Sequence, residues 1–438
     1  MAPATIFALA SGAGRAGVAV IRISGPQAGA ALVALAGAEL PAPRVATLRR
    51  LQRATGETLD DALVLWFPAP NSFTGEDVAE LHIHGGSAVI AAVAAALQQL
   101  GLRLAEPGEF SRRAFEHGKL DLTAAEAIAD LVDAETEGQR RQALRQMEGA
   151  LARLYDGWRA QLLSALALLE AEIDFPDEDL PDGVASRAAP ILTALADDMV
   201  AHLADNARGE RVRDGYRIAI VGAPNAGKSS LLNALAQREA AIVSDVPGTT
   251  RDVVEVRLVL AGFPVWIADT AGLREARDAI ESEGVRRALA RAEGADLRIG
   301  VSEGRVDALL AAALKPSDLL VQSKSDLHPD EAPVLKPVWE TLRTSTVTSA
   351  GIAELEAALA SRVARDLSGD EAPALTRARH RALVAEAETA LRRALSADGA
   401  ELAAEDARLA ARALGRITGR IDVEDVLGEI FATFCIGK

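Results

Sequence analysis

The segment Tyr216-Arg-Ile-Ala-Ile-Val-Gly222-Ala-Pro-Asn225-Ala226-Gly227-Lys228-Ser229 narrows the possible folds more than any other part of the chain. An apolar run of strand length ends at one glycine, a second glycine follows after four residues, and a Lys-Ser pair opens the helix-forming Ser230-Leu-Leu-Asn-Ala-Leu235. Strand, glycine-rich turn and helix in that order form a loop whose backbone amides and helix N-terminus face an anion. A chance glycine turn is the competing reading, but it needs neither the strand before nor the helix after. In a phosphate-binding loop of this kind Lys228 neutralises the β and γ oxygens of a nucleotide, and the Ser229 hydroxyl can ligand Mg²⁺.

Two further segments follow in order. Val265-Trp-Ile-Ala-Asp269-Thr270-Ala271-Gly272 ends a strand in D-x-x-G, where the carboxylate reaches Mg²⁺ through water and the Gly272 amide meets a γ-phosphate. Gly248-Thr249-Thr250-Arg-Asp252 lies between the two and offers a threonine hydroxyl to the metal. The three together resemble the GTPase branch of P-loop proteins. Guanine selection then falls to Ser323-Lys324-Ser325-Asp326, in the place of N-K-x-D. Asp326 accepts the ring N–H and exocyclic amine of guanine, and Lys324 stacks on the base. Ser323 lacks the amide that bridges base and phosphate loop, so GTP specificity with weakened affinity is expected. The last guanine-contacting loop begins either at Ser345-Thr346-Val347 or at Ser349-Ala350. Leu273 follows Gly272 and cannot orient water. Glu281, in an acidic stretch, either polarises the attacking water or is a solvated helix carboxylate. A cation is also needed between the β and γ phosphates, and the sequence assigns no arginine to that place.

Strand and helix signals alternate over residues 216 to about 365, the texture of an α/β unit with a mostly parallel sheet. Before it, short β-rich runs to about residue 118 (Val18 to Ser24, Ala62 to Phe67, Val78 to His84) read as an α+β module. Helical sequence begins at Leu120, with Thr123-Ala-Ala-Glu126 as a capping box. It resumes at Ala185, runs into a basic link at Arg211-Val-Arg213, and returns from Thr376 to the end, so the α/β unit reads as an insertion. A length of 438 residues suits about three domains. With 47 basic against 63 acidic residues the net charge is -16, so no protein-wide positive field collects nucleic acid and any RNA contact is local. Arg140, Arg141, Arg145, Arg153 and Arg159, with Arg377, Arg379, Arg381, Arg392 and Arg393, either line an RNA path or are solvated helix faces; the second reading is favoured. A single cysteine, Cys435, excludes an internal disulfide. His82 and His84 are read as facing opposite sides of a strand and as structural. No run is long enough to span a bilayer, the N-terminus lacks a signal-peptide n-region, and the cytoplasm is the expected compartment.

These motifs, with Val20-Ile-Arg22-Ile-Ser-Gly25, Pro70-Asn-Ser-Phe-Thr-Gly-Glu-Asp77, Pro107-Gly-Glu-Phe-Ser111, Lys119-Leu-Asp-Leu122 and the terminal Phe434-Cys-Ile-Gly-Lys438, resemble the MnmE (TrmE) family end to end. The resemblance implies a multidomain chain: a tetrahydrofolate-binding α+β domain (1–118), an all-α helical domain in two halves (119–213 and 371–438), and an inserted α/β P-loop GTPase domain (214–370). It implies a homodimer that works with the FAD-dependent MnmG on the wobble uridine of certain tRNAs, adding an aminomethyl or carboxymethylaminomethyl group. The one-carbon donor is 5-formyl- or 5,10-methylene-tetrahydrofolate. It places K⁺ where other GTPases use an arginine, held by Asn225 and the carbonyls of Ser244, Val246 and Thr249. It makes Ser229 and Thr250 the Mg²⁺ ligands and Glu281 the water-orienting residue, in a catalytic set with Lys228, Gly248, Thr249 and Thr250. Folate contacts fall on Arg22, Glu80, Lys119 and Lys438, while Cys435 is left between one-carbon chemistry and packing beside Phe431 and Phe434. The strand Arg298-Ile-Gly-Val-Ser302 departs from the family's more hydrophobic run ending in aspartate. The competing class is a regulatory GTPase that binds ribosomal RNA without covalent chemistry; no recognisable RNA module follows the GTPase segment.

Overall fold

The computed structural model describes residues 4–12, 14–37, 39–174, 184–205, 207–238, 255–269, 292–328, 338–369, 374–421, 424–432, 434 and 437. The chain forms two compact units, one of Met1–Val132, Gln146–Ala196 and Glu386–Lys438, the other of Asp133–Arg145 and Asp197–Ala385.

In the first unit, β1 (Ile6–Leu9), β2 (Ala16–Ser24), β3 (Thr47–Gln52), β4 (Thr58–Phe67), β5 (Val78–Gly85) and β6 (Arg103–Leu104) form one sheet in the order β3-β4-β5-β2-β1-β6. Only the short β1–β6 pair is parallel. Alternation along the strands sends Ile21, Ile23, Leu81 and Ile83 to one face, where helices Ala28–Ala36 and Ser87–Gln99 cover them with Leu32, Val93 and Leu97. Each such buried aliphatic side chain contributes about 1.5–3 kcal/mol. The intervening residues, Arg22, Glu80, His82 and His84, share the other face. The expectation that the two histidines point to opposite sides is therefore corrected: residues two apart on a strand share a face. They turn to different acids, His82 Nε2 lying 3.4 Å from Glu80 and His84 Nδ1 2.7 Å from Asp60.

That second face is closed in part by Arg113, a buried cation that pairs with Glu76 at 3.0 Å and donates to the Ala4 carbonyl at 2.8 Å. Glu76 also accepts from Ser24 at 2.7 Å, so strand, loop and helix Glu109–Glu116 are tied by one satisfied network. Helix Leu122–Asp133 is capped by Asp121, whose carboxylate accepts from the Ala124 amide at 2.9 Å and the Thr123 hydroxyl at 2.6 Å. The capping box proposed at Thr123 is thus displaced by two residues: Thr123 and Glu126 are buried inside the helix. The long helix Ala150–Asp174 packs along Ala400–Thr418, whose buried face is largely alanine and lets the axes approach. Gly437 lies beside the N-terminal sheet. Phe431 and Phe434 join Leu122 and Ala125 in one cluster, and a Cβ on Gly437 would lie 2.2 Å from the Leu9 carbonyl oxygen.

The second unit holds β7 (Tyr216–Gly222), β8 (Glu255–Leu260), β9 (Phe263–Asp269), β10 (Leu297–Ser302), β11 (Leu319–Gln322) and β12 (Glu340–Arg343), ordered β12-β11-β10-β7-β9-β8. All neighbours are parallel except β8 and β9. β7, β10 and β11 are almost continuously buried, as strands covered on both faces must be. Helices Lys228–Arg238 and Ile352–Leu367 cover one face with Leu231, Leu355 and Leu359, and helix Ala308–Ala313 contributes Leu310 to the other. The basic link expected at Arg211 is a helix, Arg208–Asp214, with Arg211 paired to Asp296 at 2.8 Å. The turn between β8 and β9 is seated on the start of helix Glu137–Met147. The Gly138 amide donates to the Gly262 carbonyl at 2.8 Å, a Cβ on Gly138 would lie 2.5 Å from the Phe263 ring, and Glu135 pairs with Arg257. Five of the arginines weighed as an RNA path, Arg140, Arg141, Arg381, Arg392 and Arg393, are paired with carboxylates, in keeping with solvated helix faces.

Candidate functional site

The phosphate loop joins the carboxyl end of β7 to helix Lys228–Arg238, beside the ends of β9, β10 and β11, where ligands of such sheets sit. Its shape follows from three positions. A Cβ on Gly222 would meet the Val301 carbonyl oxygen at 2.3 Å, so β10 leaves room for glycine alone. Asn225 (φ 63°) and Gly227 (φ 95°) hold left-handed backbone, which Gly adopts freely and Asn tolerates better than most residues. Lys228 folds back over the loop, donating to the carbonyls of Gly222 at 3.1 Å and Ala223 at 2.9 Å. Burial pushes its ammonium below the ordinary lysine range, and the nearby Asp269 carboxylate opposes that shift. Ser229 donates to Asp269 Oδ2, which β9 delivers in register with Ile220. Asp269 Oδ1 is buried and has no partner among the described residues. Ser230 lies exposed one residue further on.

The loop expected to read guanine follows β11. Ser323 is buried and its hydroxyl donates to the Ala226 carbonyl at 2.6 Å. The expected loss of the bridge to the phosphate loop is therefore corrected in part: serine keeps a link on the loop side. Lys324 donates to the Asn225 carbonyl at 3.0 Å and to Glu303, and Asp326 is exposed. Ser345 follows β12, its hydroxyl accepting from the Val347 and Thr348 amides at 3.2 Å, with Thr346 inside the same turn. Ser349 stands in left-handed backbone at the end of that loop. The Ser325 amide donates to the Thr344 carbonyl at 3.0 Å, which joins the two loops. Arg298 lies toward the other end of β10, its guanidinium donating to the carbonyls of Ala292 at 2.5 Å and Ala313 at 2.7 Å. This departure thus fastens the flank of the sheet, while Val301 pairs with Gly222 at the loop. Ser244, Val246, Gly248, Thr249, Thr250, Thr270, Ala271, Gly272 and Glu281, and in the tail Cys435 and Lys438, lie outside the described residues.

A second concavity, of about 450 Å³, opens on the face of the N-terminal sheet opposite helices Ala28–Ala36 and Ser87–Gln99. Arg22, Arg44, Phe67, Phe73, Glu80 and Lys119 line it. Arg22 and Glu80 are directly opposed on β2 and β5 and bonded at 3.0 Å. The Arg22 guanidinium also lies 5.5 Å from the Phe73 ring, and that of Arg44 5.6 Å from the Phe67 ring. Three sequence-predicted residues are thereby brought together, and Arg44, Phe67 and Phe73 are additions that sequence reasoning missed.

Residues 122–435 match the model of the MnmE helical domain, and residues 5–119 that of the GTP-binding protein TrmE N-terminus. The tRNA modification GTPase MnmE of Rhodospirillum rubrum is 59% identical over 99% of both chains. That of Parvibaculum lavamentivorans is 60% identical, covering 99% of this chain and all of its own, and that of Phenylobacterium zucineum 58% over 99% of both. The chain belongs to the MnmE family of tRNA modification GTPases. Its MnmE architecture is an N-terminal domain, a helical domain, and an inserted P-loop GTPase domain with a mostly parallel sheet. As an MnmE protein it is a GTP hydrolase acting in tRNA modification. Among solved structures, the G domain of the T. maritima FeoB iron transporter matches 33% of this chain and 98% of its own at 25% identity, with a TM-score of 0.26, too low to add to the assignment. Among the described residues no helix is long and apolar enough to cross a membrane.

Proposed function

We propose that this chain runs a potassium-stimulated GTPase cycle that drives modification of the wobble uridine of certain tRNAs. It does so in the cytoplasm as a homodimer, together with the FAD-dependent MnmG, using a tetrahydrofolate one-carbon donor. The observation that carries the GTPase half is the convergence of Lys228, Ser229, Asp269, Ser323 and Lys324 at the carboxyl ends of neighbouring parallel strands.

Lys228 is poised to exchange two loop carbonyls for phosphate oxygens. Ser229, with Thr250, would hold Mg²⁺, and Asp269 would reach it through water; the buried Oδ1 beside the serine hydroxyl, unpartnered among the described residues, fits such a role. Asn225 would hold K⁺ with the carbonyls of Ser244, Val246 and Thr249. When bound, the two cations supply positive charge at the triphosphate where hydrolysis builds negative charge. Glu281 orients the attacking water. Asp326 selects guanine, and Asp326→Asn is expected to weaken GTP binding about 100-fold, the worth of one or two charge-assisted hydrogen bonds, while gaining xanthosine triphosphate. Calorimetric titration with GTP, xanthosine triphosphate and ATP checks this; ATP binding as tight as GTP would refute guanine selection.

In the N-terminal cleft, Glu80 and Arg22 suit the donors and acceptors of a pterin, and Lys119 suits the glutamate carboxylates of folate. The aromatic slot of Phe67 and Phe73 fits a flat ring as well. Arg22→Ala is expected to weaken 5-formyltetrahydrofolate binding at least about tenfold, by loss of a charge-assisted bond, with GDP binding unchanged. Equal folate titrations for the two proteins would remove the folate reading.

A further inference from the structure

We propose that Arg44 is a further substrate-binding residue of the N-terminal cleft and that, together with Lys119, it makes the cleft select one-carbon donors whose tails carry several glutamates over those that carry one. The inference rests on the folate reading of this cleft and adds which folates it takes. Three cations, Arg22, Arg44 and Lys119, line the cleft against one carboxylate, Glu80. Glu80 is taken by Arg22 at 2.9 Å. Among the described residues the other two cations have no carboxylate partner, so the cleft keeps a surplus of positive charge. In a chain of net charge -16, such a local surplus favours an anion.

Arg44 reaches the cleft through unfavourable backbone. Pro43 and Arg44 are the central pair of a turn closed by the Val45 amide on the Ala42 carbonyl at 3.1 Å. Proline at the first central position and positive φ at the second are the marks of a type II turn, where the second place ordinarily falls to glycine or asparagine. Arg44 holds φ 64° there. Its amide donates to the Trp66 carbonyl at 2.9 Å, which seats the turn on β4. Its guanidinium lies 5.6 Å from the Phe67 ring and donates to the Asn71 carbonyl, yet the residue as a whole is exposed. Glycine would suit this turn better, so the charge at the mouth of the cleft is what accounts for the arginine. Lys119 arrives from a different element. Its amide donates to the Ala114 carbonyl at 2.8 Å at the end of helix Glu109–Glu116, and its stem passes Gly75, where a Cβ would lie 3.5 Å from Lys119 Cε and 2.9 Å from His117 Cβ. A folate with one glutamate offers both tail carboxylates on one short residue. Each further γ-linked glutamate adds a carboxylate along a flexible stem, which can satisfy two cations held by separate elements while the ring stays seated at Arg22 and Glu80.

The test titrates the full chain with 5-formyltetrahydrofolate as its monoglutamate and as its triglutamate. The native chain is expected to bind the triglutamate about tenfold more tightly, the worth of two exposed ion pairs, and the margin should narrow as NaCl is raised. Arg44→Gln, which keeps a polar stem over Phe67 and the same demand on the backbone, should bring the margin to about twofold, with monoglutamate binding within about threefold of native. Arg44→Lys should keep most of the margin. Equal affinities for the two folates in the native chain, an undiminished margin in Arg44→Gln, or equal losses of both folates in that variant would overturn selection by the tail. Failure of the native chain to bind either folate would instead strike the folate reading of the cleft.

Discussion

Lys228→Ala is expected to lower kcat for GTP by roughly 10²- to 10³-fold, the usual loss when one preorganised donor to a developing charge is removed. The fold should survive, because the ammonium is held by loop carbonyls rather than by a buried carboxylate, and its burial already disfavours the charged form. The loss belongs to the reaction and not to the scaffold. Single-turnover hydrolysis at saturating GTP, with thermal unfolding as the control, measures it. Turnover within a few-fold of native would take the lysine out of the chemistry.

Exchange of KCl for NaCl is expected to have an effect of similar size, on the order of 10²-fold or more, since in the proposed mechanism the cation would stand in for an arginine worth roughly 10³ to 10⁵ in other GTPases. In the proposed mechanism Asn225 would meet that ion; its backbone is left-handed and its carbonyl accepts from Lys324. Asn225→Ala should therefore abolish the difference between the two salts, leaving both rates low. Glu281→Ala should depress kcat in KCl with KM near native. Equal rates in potassium and sodium for the native chain would end the potassium mechanism.

The nucleotide site was legible because its chemistry is written in contiguous runs: one strand, one turn and one lysine suffice to announce phosphate binding. The strands of the inserted sheet were legible for a related reason, as Arg217 to Val221, Leu297 to Val301 and Leu319 to Gln322 are mostly apolar runs that, Arg217 aside, are buried on both faces. The edges were not. β3 carries Thr47-Leu-Arg-Arg-Leu-Gln52 with Leu48 exposed, and β12 is the polar Glu340-Thr-Leu-Arg343, so neither shows the alternation that betrays a half-buried strand. The N-terminal cleft was legible only through family resemblance. Its walls come from positions 22, 44, 67, 73, 80 and 119, and no local pattern gathers them. One signal was available: a chain with only 3% aromatic residues places Phe67 and Phe73 six positions apart, around a Pro-Asn-Ser turn. Ser323 shows the reverse case. The residue type suggested a loss, whereas its hydroxyl reaches the carbonyl that a bridge requires, a fact fixed by the register of β10 and β11 rather than by the motif.

The turn of the β8–β9 hairpin rests on Gly138, a residue that a ribosome delivers long before Phe263 exists to receive it. Glu135 and Gly138 must therefore wait for their partners until Arg257 to Phe263 has been synthesised. By the same connection, a fragment trimmed to the strands and motifs from Tyr216 onward would lack the Glu135 partner of Arg257 and the backbone partner of Gly262, and it would bare the Phe263 ring to water. The half of the molecule that handles nucleotide is thus born in two instalments, and its smallest self-sufficient version includes a piece of chain that its motifs do not reveal.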